Sequence, residues 1–400
     1  MDLVRTGSKQ LIREINEALV VQEIRARGMA SRTDLVRATG LSGPTVSTVV
    51  GRLLQGGLLV ERETGAPTGG RPPVMLAIRP EAGYVIGIKL TDRRVIGVLA
   101  DLTGAVTATC AVSLGAKDSE SVCADIAVAA QMLTPAAAGR PILGLGAGLA
   151  GIVDSESGVV RRATFFDWID IPLGDEIAAR TGIPVVVDND VNTLVVAEQL
   201  WGAGRGTSDF VLASVGRGVG MGLVLGDRLH RGAYGGAGEF GHIKVTGGGL
   251  CECGAHGCLE SLVGEPALLR AIGSAGFPQL KIDDAADRAR KGDETLRTVF
   301  GAVGTALGRA LATVVDIVDP DRVALAGEGM RYHDLFLTQC RTALQDNVFG
   351  SVRRLDLIVV QSDDTAWARG AASLILGTLF RPHLHHGDSQ TPSLISRFTG

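Results

Sequence analysis

The stretch that decides the fold is residues 235–260, which reads GGAGEFGHIKVTGGGLCECGAHGCLE. Its three thiols have the spacing C-x-C-x4-C and lie within eight residues. Three cysteines and one histidine complete a tetrahedral shell around Zn2+ with no open position, which is typical of a structural site. We therefore expect one structural zinc ion per chain, bound by Cys251, Cys253, Cys258 and either His242 or His256. The alternative is a set of reduced, buried cysteines without a metal.

Strands and helices alternate on both sides of this stretch. Apolar runs predict strands at 85–89, 95–101, 105–113, 142–147, 185–187 and 210–215. Helical spacing predicts helices at 119–133 and from 190 to about 201. This order repeats a βββαβα unit, which is typical of the actin-like, ribonuclease-H-like fold of sugar kinases. We expect an α/β body with two lobes.

Residues 235–260 resemble two signatures of the ROK family (repressors, open reading frames and kinases), namely E-x-G-H and C-x-C-G-x-x-G-C-x-E. The resemblance covers nearly the whole chain, including the N-terminal extension that marks the repressor branch. It implies a sugar-kinase-like domain at 81–380. Lobe one would span about 81–190 plus a closing helix at 366–380, and lobe two about 191–365. The resemblance favours His242 as the fourth zinc ligand.

Five polar residues match the positions that hold the sugar ring in ROK kinases, namely Asn189, Asp190, Glu239, His242 and Glu260. Carboxylates accept hydrogen bonds from sugar hydroxyls, and an asparagine offers both a donor and an acceptor. The resemblance implies that the chain binds a sugar or a sugar phosphate. It also implies that Asp190 stands where the kinases place their catalytic base. Taken singly, each of these carboxylates could be a surface or cap residue.

The nucleotide side of the resemblance is not intact. Where ROK kinases have D-x-G-G-T, residues 87–92 read GIKLTD, so Ile88 and Leu90 replace glycines that let the backbone approach phosphates. A second glycine-rich loop at 216–222 carries Arg217 at the usual place of a small hydroxyl residue. We therefore expect no enzyme activity and no catalytic residue. The alternative is an ATP-dependent sugar kinase with an appended DNA-binding domain.

The N-terminal 80 residues read as three helices followed by a strand pair. The first helix is expected at 9–27, with Ile12, Ile15, Leu19 and Ile24 on its apolar face. Ser31 followed by Asp34 is a capping-box pattern for a short second helix, and Ser42 caps a third. A glycine-rich loop then separates two short apolar strands. This order predicts a winged helix-turn-helix domain, and the alternative is a plain three-helix packing module.

The third helix would be the recognition helix, which enters the major groove in such domains. Short polar side chains on its outer face suit bases or phosphates, an arginine one turn later suits a phosphate, and an arginine in the wing suits the minor groove. The expected DNA contacts are Thr45, Ser47, Thr48, Arg52 and Arg71. One such domain reads only a few base pairs, so a regulator of operator DNA should be a homodimer or a dimer of dimers.

Charge and hydropathy agree with this division. Residues 1–80 contain eleven Arg or Lys and seven Asp or Glu, a net charge of +4. Because the whole chain has a net charge of −4, residues 81–400 carry −8. A basic head before an acidic body fits DNA binding. The start lacks a signal-peptide pattern, and no apolar run reaches the ~18 residues of a membrane span. We expect a cytoplasmic protein, nucleoid-associated when bound to DNA, with a disordered tail at 381–400.

These observations favour a sugar-responsive transcription regulator, and among regulators a repressor. The head would bind operator DNA and the body would bind the sugar. Besides the kinase alternative, a constitutive DNA-binding regulator with a vestigial pocket is compatible with the sequence. The five pocket residues would hold several hexoses, so the sequence does not name the sugar.

Overall fold

The computed structural model describes residues 9–63, 73–350 and 355–379, together with Ile395 and Phe398. The first elements are α1 (Lys9–Arg27), β1 (Ala30–Ser31), α2 (Arg32–Thr39), α3 (Gly43–Gln55), β2 (Leu59–Glu63) and β3 (Val74–Ile78). Then follow β4 (Tyr84–Leu90), β5 (Arg94–Asp101), β6 (Val106–Ser113), α4 (Ser119–Leu133), β7 (Ile142–Leu149), β8 (Ile152–Asp154), β9 (Val159–Ala163) and β10 (Trp168–Ile171).

The second half of the chain continues with α5 (Leu173–Thr181), β11 (Val185–Asn189), α6 (Asp190–Trp201), β12 (Phe210–Val215), β13 (Val219–Leu225) and β14 (Arg228–Leu229). It ends with α7 (Glu260–Val263), α8 (Glu265–Ser274), α9 (Ile282–Arg290), α10 (Glu294–Val318), β15 (Arg322–Ala326), α11 (His333–Asn347), β16 (Asp356–Val359) and α12 (Asp364–Leu379). The described parts of residues 1–147, 172–187 and 371–400 form unit 1, and those of residues 148–171 and 188–370 form unit 2.

The head of unit 1 has the predicted helix-turn-helix. The Ser31 Oγ accepts from the Asp34 N–H at 3.1 Å, and the Asp34 carboxylate accepts from the Ser31 N–H at 3.0 Å, which completes the capping box. Gly40 ends α2 in the left-handed region at φ 69°. The Ser42 Oγ caps α3 by accepting from the Thr45 N–H at 3.3 Å. The start and end of each helix follow the capping signals of the sequence.

The apolar face of α1 agrees only in part with the prediction. Ile24 is buried as expected and Ile15 and Leu19 are half-buried, but Ile12 is 54 % exposed, and Leu11, Ala18 and Val21 are buried instead. Apolar side chains surround much of this helix, so its spacing allows more than one buried face. Packing against α2, α3 and β3 decides between them. In contrast, all four predicted core residues of α3 are buried, namely Val46, Val49, Val50 and Leu53.

The predicted strand pair forms an antiparallel hairpin, and β1 extends it to three strands in the order β1-β3-β2. Its register runs from Leu59 opposite Ile78 to Glu63 opposite Val74. The loop at 64–72 that joins the two strands, and Arg71 with it, lies outside the described residues. So does the predicted tail at 381–400, apart from Ile395 and Phe398.

The body of unit 1 is built on a five-stranded sheet in the order β11-β7-β4-β5-β6. The strands β4, β5 and β6 pair antiparallel as successive hairpins. Gly104 turns the second of these hairpins at φ 76°, as the sequence predicted. The helix α4 has the predicted bounds and packs against β5, β6 and α5.

Unit 2 contains a second five-stranded sheet, in the order β14-β13-β12-β15-β16. The helix α6 packs on one face, where Val191, Leu194 and Val195 meet Phe210 and Leu212. The other face is covered by α10 and α11 through a core that is built from the residues Val211, Ala213, Phe300, Leu307, Leu311, Val323, Leu325 and Phe336. This arrangement places the ends of β11, β12 and β13 and the segment 230–260 within one unit.

A small antiparallel sheet in unit 2, in the order β10-β9-β8, was not predicted. Its strands are three to five residues long, and β9 is of mixed polarity (VVRRA), so no clear period of two marks them. Asp167, just before β10, and Asp170, within it, adopt positive φ values of 54° and 50°. Tertiary pairing therefore defines these strands.

The helix α10 is long and apolar enough to cross a membrane, with a mean hydropathy of 1.5 over its most apolar window. However, 56 % of that window is buried inside unit 2, and the helix packs along α11. The core helix of a folded domain has the same composition, so this segment is weak support for a membrane span.

Candidate functional site

The three thiols of the sequence stretch lie on a folded-back loop of unit 2. His242 ends a 3-10 turn that follows Glu239. A β-bridge between Lys244 and Cys258 returns the far end of the loop to the same place. Between them, the Cys251 N–H donates to the carbonyl of Ala255 at 2.9 Å, which closes a tight knuckle. The knuckle turns the cysteines toward His242.

The four donor atoms of this loop form one cluster. The ligand atoms of His242, Cys251, Cys253 and Cys258 all lie within 4.8 Å of one another. His242 Nδ1 is 3.7 Å from Cys251 Sγ, and Cys253 Sγ is 3.8 Å from Cys258 Sγ. A tetrahedron with zinc–sulfur bonds of about 2.3 Å has sulfur–sulfur edges of about 3.8 Å. The donor set and its spacing fit a four-coordinate cation, and the exposed His256 lies outside the set.

The pKa values of two of the thiols are shifted in opposite directions. Burial raises the pKa of the Cys251 thiol to about 12. The pKa of Cys253 is lowered, first by the backbone hydrogen bond from Ala255. The ammonium of Lys244 lies 3.2 Å from Cys258 Sγ. The positive charge of Lys244 also lowers the pKa of Cys253 and so favours its thiolate, which is the form that binds a metal.

Asn189 and Asp190 lie where β11 ends and α6 begins. The Asn189 Oδ1 caps α6 by accepting from the Val191 N–H at 2.8 Å, and its Nδ2 donates to the Gly151 carbonyl at 2.9 Å. Asp190 is buried, and its Oδ1 accepts from the Val191 N–H at 2.9 Å. The Asn189 side chain therefore caps α6, and its second Nδ2 hydrogen can donate a hydrogen bond to a ligand.

Of the other three predicted sugar residues, His242 belongs to the thiol cluster, and Glu239 and Glu260 each contact one of its members. His242 Nε2 lies 3.8 Å from Glu239 Oε2, on the ring side opposite to the thiols. Glu260 Oε2 accepts from the Val219 N–H at 2.9 Å, and its Oε1 accepts from the Cys251 thiol at 3.4 Å. Two of the predicted sugar residues are thus held by the same group of side chains that forms the cation cluster.

The carboxylates of unit 2 also influence one another. Partial burial raises the pKa of Glu239, and the charge of His242 opposes this shift. The nearby negative charges of Glu260 and Asp190 add to the increase. Glu239, Glu260 and Asp190 come from three separate segments, so the fold brings together most of the predicted sugar residues within electrostatic reach.

The second glycine-rich loop has a different character. It connects β12 to β13, and its backbone is closed by the Gly216 N–H, which donates to the Gly218 carbonyl at 3.0 Å. The Arg217 guanidinium lies over the ring of Phe165, 4.7 Å from the ring centroid. The Glu328 carboxylate lies against Gly216 on the side where a Cβ would stand. The loop thus keeps its glycine backbone, but the Glu328 carboxylate lies next to it. The sequence analysis did not identify Glu328.

The segment at 87–92 of unit 1 completes β4 and turns into β5. Ile88 and Leu90 are buried in the sheet core, with exposed fractions of 0 % and 3 %. Thr91 closes the turn by accepting from the Arg94 N–H at 3.0 Å. The bulky residues that replace the glycines therefore serve the core of unit 1.

The predicted DNA contacts of α3 lie on its outer face. Ser47 and Thr48 are exposed, and Thr45 is half-buried. Arg52 is already paired, because its Nε and Nη2 lie 3.0 and 2.9 Å from Oε1 of the buried Glu17 in α1. Sequence reasoning missed Glu17, because α1 also carries Glu14 and Glu23 and no local pattern marks Glu17 as the buried carboxylate.

Comparisons with known proteins agree with this architecture. The ROK family model matches residues 86–378, which begin after the helix-turn-helix and its hairpin. The xylose repressor of Caldicellulosiruptor bescii is 28 % identical over 392 residues, which cover 93 % of this chain and 98 % of that protein.

Two solved structures are similar on different scales. A ROK family transcriptional regulator, a homologue of the Escherichia coli MLC protein, matches with a TM-score of 0.83 and 25 % identity over 97 % of this chain and 99 % of its own. A ROK family glucokinase from Streptomyces griseus, in complex with glucose and AMPPNP, matches with a TM-score of 0.63 and 28 % identity over 73 % of this chain and 99 % of its own. With its family match, its full-length likeness to a regulator and its cluster of thiols and carboxylates, the chain belongs to the ROK family.

Proposed function

We propose that this protein is a sugar-responsive transcriptional regulator, acting as a repressor. The observation that carries the proposal is the presence, in one chain, of a winged helix-turn-helix and of the carboxylate cluster at Asp190, Glu239 and Glu260. Its similarity to a full-length xylose repressor supports this function. The protein would act in the cytoplasm, where operator DNA and sugars are both present.

The head would bind operator DNA through α3 and the wing. Ser47 and Thr48 would face bases or phosphates in the major groove, with Thr45 at the start of the helix. Arg52 would approach a phosphate from its seat on Glu17, and Arg71 would enter the minor groove. Because one head reads only a few base pairs, two heads on a homodimer or dimer of dimers would read a pseudo-palindromic site.

The body would bind the effector through Asn189, Asp190, Glu239, His242 and Glu260. Ionised carboxylates accept hydrogen bonds from sugar hydroxyls, and charge-assisted bonds of this kind are stronger than neutral ones. D-Xylose is the first probe because of the xylose repressor. D-Glucose, N-acetyl-D-glucosamine and the phosphorylated forms of the hexoses are the next probes.

The cluster of His242, Cys251, Cys253 and Cys258 would hold one structural zinc ion. A closed four-ligand site supplies folding energy and leaves no position for catalysis. The loop that carries these ligands would in turn hold His242 and Glu260 in place. With Ile88 and Leu90 in the core and Glu328 beside Gly216, the protein would bind the sugar without phosphorylating it.

Operator binding with and without sugar tests the proposal. A thermal-shift screen of the named sugars comes first, because a ligand at 100 times its Kd stabilises a protein by roughly 2.7 kcal/mol. Operator affinity is then titrated at fixed salt with the sugar that shifts the melting temperature. We expect a change of about 5- to 150-fold, and linkage requires operator DNA to weaken sugar binding by the same factor. Unchanged affinity with a saturated pocket would refute the sensor function.

A further inference from the structure

A buried carboxylate beside the sugar residues is held by three donors. Asp188 in β11 is 1 % exposed. Its Oδ1 accepts from the Asn189 N–H at 2.8 Å and from Asn192 Nδ2 at 2.8 Å. Its Oδ2 accepts from Arg231 Nε at 2.7 Å. The two asparagines and the arginine thus satisfy both oxygens of this buried carboxylate with hydrogen bonds.

Arg231 begins the loop that delivers Glu239. The Ala237 N–H donates to the Arg231 carbonyl at 3.0 Å, which folds the loop back on itself. Gly238 adopts a φ of 88°, and a Cβ there would collide with the carbonyl of Met221. The Met221 N–H donates to the Gly238 carbonyl at 3.0 Å. The loop is therefore attached to β13 at its far end and to Asp188 at its beginning.

These contacts connect two segments that carry sugar residues. Asp188 directly precedes Asn189 and Asp190, and it also holds Asn192 in the first turn of α6. Arg231 lies eight residues before Glu239, on a loop with little freedom. A shift of the guanidinium would move the loop relative to the start of α6.

We propose that Arg231 and Asp188 form a positioning pair that sets the distance between Asn189–Asp190 and Glu239, and thereby the affinity and selectivity for the sugar. This inference rests on the proposed sugar-binding function. Neither residue belongs to the predicted sugar contacts. A buried ion pair contributes little net stability on average, because desolvation offsets the attraction. A role in fixing geometry therefore accounts better for its presence than a role in stability alone.

The test compares Arg231→Gln, Arg231→Lys and Asp188→Asn, with Arg228→Gln as the matched control. Arg228 is an exposed arginine on β14, three residues before Arg231. Sugar dissociation constants are measured by calorimetry with D-xylose, D-glucose and N-acetyl-D-glucosamine. Hydrogen–deuterium exchange of residues 231–239 and 189–193 is measured without sugar, and zinc content and operator affinity are measured for each variant.

We expect Arg231→Gln to weaken sugar binding roughly 10-fold, as loss of a residue that orients a ligand group commonly does. Exchange should rise in both segments, while zinc content and sugar-free operator affinity stay the same. Arg231→Lys keeps the charge and should recover part of the affinity. The double variant Arg231→Gln/Asp188→Asn should bind sugar no more weakly than the weaker-binding single variant, because both substitutions remove the same Asp188–Arg231 interaction.

The outcomes separate the two proposals. If the wild-type protein binds none of the sugars, the proposed function fails. If it binds sugar and Arg231→Gln binds equally well, the positioning role is refuted while the function stands. A loss of sugar binding that comes with loss of zinc or of operator binding would also refute positioning, because it would indicate general unfolding.

Discussion

Residues 239–260 and the glycine-rich loop at 216–222 are neighbours in unit 2, joined by the bond from the Val219 N–H to Glu260. In residues 239–260, side chains converge. Four donors form a cluster, His242 lies beside Glu239, and Cys251 donates to Glu260. In the loop, the backbone is regular, but Arg217 stacks on Phe165 and Glu328 lies against Gly216. The same unit therefore combines one group of converging donor side chains with one glycine-rich loop that has a carboxylate beside it.

This difference shows what a glycine-rich loop can and cannot indicate. Glycines permit a close approach of the backbone, but they supply no charge, so the same loop is compatible with phosphate binding or with a tight strand connection. Converging thiol, imidazole and carboxylate groups are more specific, because few arrangements other than a binding site bring them together. The side chains around a glycine-rich loop therefore determine what the loop can bind.

The largest expected effect concerns phosphoryl transfer, and it tests the loop side of the comparison. With ATP, Mg2+ and the bound sugar, turnover should be absent, against the usual kinase range of ~1–100 per second. The reason is that positioning and charge stabilisation of the nucleotide supply nearly all of this catalysis. A coupled assay for ADP measures it, with Asp190→Asn as the background control. Turnover in the kinase range that Asp190→Asn abolishes would break the comparison.

The next effect concerns the cation cluster. Cys258→Ala should lose the metal and lower the melting temperature by several degrees, because structural zinc contributes directly to folding. Cys340→Ala is the matched control, since Cys340 is also fully buried but lies in α11 away from the cluster. Elemental analysis should find about one zinc per chain in the wild type and the control. A wild-type protein purified in reduced form without metal would contradict the zinc site.

The third effect concerns the sugar carboxylates. Glu239→Gln should weaken sugar binding by roughly 10- to 150-fold, the equivalent of a lost charge-assisted hydrogen bond of about 1.5–3 kcal/mol. Glu156→Gln, an exposed carboxylate in the turn after β8, should leave the affinity unchanged. Calorimetric titration measures both, and operator affinity without sugar should be the same for all three proteins. Equal sugar affinity in Glu239→Gln would remove Glu239 from the site.

The smallest effect sharpens the description of the loop. Arg217→Ser restores a small hydroxyl residue and removes the stacking on Phe165, which is worth about 0.5–1 kcal/mol at an exposed site. The melting temperature should fall by roughly 1–4 °C, and sugar affinity should not change. Arg228→Ser serves as the control and should melt like the wild type. A loss of sugar affinity in Arg217→Ser would assign the arginine to the sugar site.

The sequence predicted those parts of the fold that depend on local chemistry. Capping residues placed α2 and α3, and apolar runs placed β4, β5 and β12 to within one or two residues. The spacing of the cysteines predicted the cluster because three of its four ligands lie within eight residues. Long-range pairing was less accessible, as shown by the short strands β8–β10 and the buried face of α1.

The same limit applies to the site. The resemblance predicted individual candidate sugar residues, but the contacts that hold them were not predicted. Asp188 and Arg231 are 43 positions apart, and Gly216 and Glu328 are farther apart still, so no local pattern connects the partners. Glu17 and Arg52 are separated in the same way. Such pairs become visible only when the tertiary structure brings the elements together.

The ion pair between Glu17 and Arg52 changes how the charge of the head acts on DNA. A guanidinium that already faces a carboxylate brings little net positive charge, so its contact with a phosphate displaces fewer condensed counterions than a lone arginine would. Each full phosphate contact steepens the dependence of log affinity on log salt by about 0.9. The salt dependence of operator binding should therefore count fewer phosphates than the head touches, and affinity should persist at higher ionic strength than the net charge of +4 on residues 1–80 suggests.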